Sequence, residues 1–164
     1  ADPPMIMYAT NGKQPMGGHK DTITNIRDNG EFVVNIVPYE AKYKMNETTA
    51  PFNPNESEVD IAKLEILESK LISPARLAIS PIHMECKLYK IIDLPTLKSN
   101  EYNGMVLGHV VGIHINDDVL EDGKVDLKKI RPLSRLGYLD YSVVDNIFEM
   151  ARPEGSPRPD QVKK

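Results

Sequence analysis

The stretch NGMVLGHVVGIHIND, residues 103–117, constrains the fold more than any other part of the chain. In an extended backbone Met105, Leu107, Val111 and Ile113 fall on one face and Val106 and Val110 on the other, so both faces are apolar. Such a strand belongs in the middle of a sheet, covered on both sides. Gly108 and Gly112 interrupt it and mark bends or close backbone approaches, as barrel corners require. PIHMECKLYKI, which starts at Pro81, alternates with a period of two. Its inward face carries Ile82, Met84, Cys86 and Leu88, and its outward face His83, Glu85, Lys87 and Tyr89. On the apolar face, Cys86 is expected to be an inert thiol.

The other segments fit around these strands. PMIMYAT (4–10) reads as a buried strand entering a turn-rich loop, and helical periodicity from Asp21 to Asp28 stops at Asn29-Gly30. EFVVNIV (31–37) favours a strand, YEAKYKMNETTA (39–50) a polar surface helix and APFNPNESE (50–58) a loop. Short helices are expected within EVDIAKLEIL (58–67) and near LKKI (127–130). Long strands with short interspersed helices do not match the regular alternation of a doubly wound fold. The fold class is therefore mainly β with peripheral helices, a barrel-like antiparallel sheet.

The 164 residues are 40% hydrophobic, enough to bury the core of one domain, here 1–153, with 154–164 as a flexible tail. A formal charge of -4, without a Lys/Arg-rich block, argues against nucleic acid as a partner. No apolar run reaches the roughly 20 residues that span a membrane. The lone Cys86 excludes an internal disulfide framework and fits a reducing cytoplasm. His109 and His114 are five residues apart, on opposite faces of a regular strand, so no metal site is expected.

GGHKDTITNI (17–26) carries the clearest chemistry. Gly17 and Gly18 open backbone geometries closed to other residues, Asp21 or Thr22 caps a helix, and Ile23 and Ile26 face a core. The first amides of a helix, its dipole, His19 and Lys20 then favour an anion, with phosphate as the natural guest. A glycine loop before a capped surface helix is the plainer alternative. Gly12 and Gly17 have the spacing of a nucleotide-triphosphate loop, but Gly18 and His19 follow where Lys and Ser/Thr are needed. No dinucleotide glycine fingerprint occurs.

Taken in order, DPPMIMYATNG, HKDTITNIRDNGEFVVNIV, MNETTAPF, ISPARLAISPIHMECKL, MVLGHVVGIHINDDVL and IRPLSRLGYLDYSVVDNIFEMARP closely resemble the flavin reductase-like family of FMN-binding split-barrel proteins. The resemblance runs to Pro153 and is most specific at KDTITNI with EFVVN, and at PLSRLGYLDY. It implies a dimeric split barrel with FMN in a cleft near the subunit interface. The phosphate would lie by Lys20, Asp21 and Thr22, beside His19, with Thr10 and Asn11 approaching the flavin and Arg135 near the cleft. The implied chemistry is hydride transfer from NADH or NADPH to FMN, which needs no acid-base dyad. The protein would be a flavin reductase, or the reductase component of a two-component monooxygenase. The alternative is a non-enzymatic FMN protein that passes electrons to a protein acceptor.

Two departures stand out. Many relatives carry an Asp-His pair at the start of the long strand, where this chain reads Glu101-Tyr102-Asn103-Gly104. Family members also carry further residues ahead of the DPP motif, including the first barrel strands. PMIMYAT is apolar enough for a central strand with neighbours on both edges, so a companion chain, or an omitted part of the same product, is expected to supply those strands.

Overall fold

Two 13-residue antiparallel strands, β5 (Ile82–Leu94) and β6 (Asn103–Ile115), form the spine of the fold. The structure, a computed structural model, describes residues 2–12, 18–53, 56–98, 101–150 and 153. β1 (Met5–Asn11) pairs with β6, and β2 (Glu31–Asn35) pairs with β5, giving one antiparallel sheet in the order β1-β6-β5-β2. The two-faced apolar strand is thus central, as its pattern requires. The register of β5 on β6 shifts between Glu85 and Cys86 and again between Leu88 and Lys90, breaks that bend a long two-strand ribbon. The expected tail, 154–164, lies outside the described residues.

Helix α1 (Asp21–Asn29) packs on this sheet through Ile23 and Ile26, both buried. Together with Phe32, Cys86, Val106 and Val110 they make the main core. Gly30, at φ 71°, ends the helix in the left-handed conformation, and its N–H donates to the Ile26 carbonyl at 3.0 Å. The chain therefore enters β2 one residue after leaving α1. Gly108 packs where a Cβ would overlap the Phe32 ring, so this glycine serves close packing in mid-strand.

The remaining elements border the sheet. A turn of 3₁₀ helix at Tyr39–Ala41 runs into α2 (Lys42–Glu47), where one continuous polar helix was expected. α3 (Glu58–Ile61) precedes a small ladder of β3 (Ile66–Leu67) on β4 (Arg76–Leu77). After β6 come the hairpin β7 (Leu120–Glu121) and β8 (Lys124–Val125), then α4 (Leu127–Ile130). β9 (Leu133–Arg135) and β10 (Tyr141–Val143) pair as a further hairpin. No helix among the described residues is long and apolar enough to cross a membrane.

One expectation is corrected. The outward face of β5 is not solvent-facing at its start, because His83 and Glu85 are buried beneath the segment joining β3 to β4. Among the described residues β1 pairs on one side only, with β6, and Met5 and Met7 are exposed at 41% and 67%; the expected second neighbour is not part of this sequence. Cys86 follows the expectation: it is fully buried and burial pushes its thiol up to about 11. Since only the thiolate attacks, a thiol reagent at neutral pH is expected to leave Cys86 unmodified until denaturant is added. Rapid labelling of the folded protein would show that this side of the core opens.

Candidate functional site

One end of the main sheet gathers the termini of three strands: Asn11 pairs with Asn103, and Asn103 with Leu94. Gly12, at φ 76°, turns the chain away from β1, and its N–H donates to the Tyr102 carbonyl at 2.9 Å. A Cβ on Gly12 would lie 3.9 Å from Lys20 Cε, so the lysine stem returns to the strand end that Thr10 and Asn11 occupy. The His19 ring meets the Tyr102 ring edge-on, with centroids 4.4 Å apart. Thr10, Asn11, His19 and Lys20 are therefore brought to one place, with Tyr102 at its centre.

Tyr102 is held on its other side by charge. Its hydroxyl donates to Asp93 Oδ1 at 2.8 Å and accepts from Arg27 Nη2 at 2.9 Å, while Arg27 also reaches Asp93 at 3.3 Å. Burial and the Asp93 carboxylate push the phenol above its usual value, so it stays a donor. This clasp ties the last turn of α1 to the end of β5 and the approach to β6. The Tyr102 ring also fills the space that a side chain at position 104 would need, which explains Gly104.

The start of α1 is open. Lys20 occupies the N-cap position and no side chain caps the helix, so neither Asp21 nor Thr22 takes the expected capping role. The helix begins one residue earlier than a capping Asp21 would allow, and Asp21 becomes its first-turn acid, where it complements the dipole. The Lys20 carbonyl accepts from the N–H groups of Ile23 and Thr24, at 3.1 and 3.2 Å. The N–H groups of Asp21 and Thr22 find no acceptor among the described residues, and Lys20 has no carboxylate within ion-pair distance there. Tyr8 Oη and His19 Nδ1 are buried without partners among the described residues, and burial and the neighbouring Tyr102 raise the Tyr8 phenol. An open set of donors with one uncompensated ammonium suits a phosphate, and two orphaned polar atoms beside it suit a further polar group of the same guest.

Arg135 is elsewhere. It lies on β9, which joins the opposite end of the sheet where the Leu133 N–H donates to the Val37 carbonyl at 2.8 Å. Its guanidinium donates to Tyr141 Oη at 2.6 Å and to the Tyr138 carbonyl. Within a single chain, then, Arg135 does not join the Lys20 group. Sequence reasoning passed over Arg27, Asp93 and Tyr102; a tyrosine just ahead of the two-faced strand was the available signal. Among the described residues no group of three or more His, Cys, Asp or Glu could hold a metal ion.

The sequence profile of the flavin reductase-like domain matches residues 1–141. The chain belongs to the flavin reductase-like family. An uncharacterized protein of Halalkalibacterium halodurans is 35% identical over 93% of this chain and 73% of its own length. Among solved structures, nitrilotriacetate monooxygenase component B from Bacillus cereus is 34% identical with a TM-score of 0.80, covering 91% of this chain and 73% of that one. A 2-nitrobenzoate 2-nitroreductase from Pseudomonas fluorescens is 28% identical with a TM-score of 0.78, covering 96% and 74%. The mainly β, split-barrel character of this flavin reductase-like chain is shared with these structures, and its family is one of oxidoreductases.

Proposed function

We propose that the protein is an FMN-dependent flavin reductase that takes electrons from NADH or NADPH and serves a monooxygenase partner in the cytoplasm. The observation that carries this reading is the uncapped start of α1, with free amides at Asp21 and Thr22 and Lys20 folded back to Gly12, in a chain of this family. Its similarity to a monooxygenase component B supports the partner. In this reading the Lys20 ammonium, the Thr22 hydroxyl and the two amides hold the phosphate. Thr10, Asn11 and His19 line the approach to the ring system, and Tyr102 keeps His19 in place. The chemistry FMN supplies when bound is hydride acceptance and onward electron transfer, so the chain's own residues need only bind, orient and shield.

A homodimer completes the reading, because Arg135 then joins the cleft from the second copy of the chain. The visible spectrum of the purified protein and its consumption of nicotinamide test the proposal together. Retained FMN with oxidation of NADH or NADPH is the expected result. Retained FMN with no nicotinamide oxidation would make it an electron-transfer flavoprotein instead, and a colourless protein that does not take up added FMN would overturn both.

A further inference from the structure

A cavity of about 290 Å³ lies at the Arg135 end of the fold, between the Tyr39–Glu47 segment and the β9–β10 hairpin. Its size is near the lower end of the roughly 300–1,000 Å³ range of small-ligand pockets. Tyr39, Tyr43 and Tyr141 contribute phenol rings to its lining, and Met45, Leu133 and Val143 contribute aliphatic surface. Tyr141 is a fixed part of that wall, since Arg135 donates to its hydroxyl and lies over its ring.

The charges around the cavity are unequal in an informative way. Arg131 lies over the Tyr39 ring at 4.5 Å but pairs with Glu40, and Lys44 in α2 pairs with Glu47. Lys42, which lines the cavity, has no carboxylate within ion-pair distance among the described residues. Its ammonium is drawn over aromatic faces instead, 3.4 Å from the Tyr39 centroid and 5.0 Å from that of Tyr43. The side-chain amide of Asn46, also in the lining, has no hydrogen-bond partner among the described residues. The cavity thus combines flat aromatic and aliphatic walls with one unpaired cation and one unused amide. That combination accepts a ring through stacking and apolar burial, and a carboxylate through a charge-assisted hydrogen bond.

We infer that this cavity binds a planar aromatic monocarboxylate, with its carboxylate at Lys42 and Asn46 and its ring among Tyr39, Tyr43 and Leu133. None of the Lys20 group takes part, and the flavin reading touches this cavity only through Arg135, which holds Tyr141. Calorimetric titration of the full chain with 2-naphthoate, and separately with the neutral 2-naphthamide, tests it. Saturable binding of the acid with one site per chain is expected, together with affinity for the amide weaker by about tenfold or more, the usual size of a charged hydrogen bond. Lys42→Gln should lose that discrimination and Lys42→Arg should restore part of it. Asn46→Asp, an exposed change that leaves the packing intact, should also weaken the acid by setting a carboxylate against it. Absence of saturation, equal affinity for acid and amide, or unchanged acid binding in Lys42→Gln and Asn46→Asp would overturn the assignment.

Discussion

Replacing Glu85 with alanine is expected to lower the unfolding free energy by about 3–5 kcal/mol, the usual worth of two hydrogen bonds to a buried charged group. Glu85 has no exposed surface, yet both its carboxylate oxygens accept hydrogen bonds. Oε1 accepts the Lys70 N–H at 2.8 Å and faces His114 Nε2, and Oε2 accepts the Leu71 N–H at 2.7 Å. Glu31 accepts the Ser73 N–H at 2.8 Å and His83 Nε2 lies 2.9 Å from the Leu77 carbonyl, so the segment over β5 is pinned at several points. Removing the carboxylate takes the acceptor from the Lys70 and Leu71 N–H groups and from His114. Hydrogen exchange should show lost protection at Lys70 and Leu71, and Glu85→Gln, which keeps one acceptor oxygen, should lose less.

The same cluster sets an acid limit. Burial alone would push the Glu85 carboxyl up, but the Lys70 N–H, His114 and the Leu71 N–H outweigh it and hold the group below its usual value. A depressed carboxyl contributes stability that is fully present above the ordinary glutamate value of about 4.3 and is lost as pH falls through the folded value. Burial also holds the neighbouring His83 below its usual value, so acid favours the unfolded chain from about 6.5 downward, the ordinary histidine value. Urea unfolding between pH 8 and pH 3 should show stability falling in both windows, with the lower one absent from Glu85→Gln. A parent protein equally stable at pH 7 and pH 4 would contradict this account.

The double variant Lys20→Ala with Thr22→Ala is expected to weaken FMN binding by about 1–3 kcal/mol, or roughly 5- to 150-fold, the worth of one or two charge-assisted hydrogen bonds. Neither side chain is buried, and α1 is anchored by Ile23 and Ile26, so the helix should survive the change. Far-UV circular dichroism checks that point, and quenching of flavin fluorescence on titration reads the affinity. The loss should shrink as salt is added, because an exposed ammonium is screened. An unchanged affinity would remove the phosphate from the start of α1.

The elements that hold the molecule together were legible because each states its environment within a few neighbouring residues. The two-faced apolar run of β6 demanded a central strand, the spacing of Ile23 and Ile26 gave α1 one buried face, and Asn29-Gly30 marked the left-handed exit into β2. The open donors near Lys20 were legible as a candidate anion site for the same reason. Period-two patterning failed at His83 and Glu85, since it separates apolar from polar faces and carries no sign of the loop that folds back to satisfy the polar one. Nor does any local pattern bring Arg27 to Tyr102 across 75 residues, or leave Lys20 rather than Asp21 at the cap. Arg135 shows that a motif does not say which part of the fold its residue meets: within one chain β9 hangs from Val37, at the other end of the sheet from Lys20. Faces and turns are local properties of the chain, whereas which polar groups meet depends on strand register and loop closure, which only the tertiary structure decides.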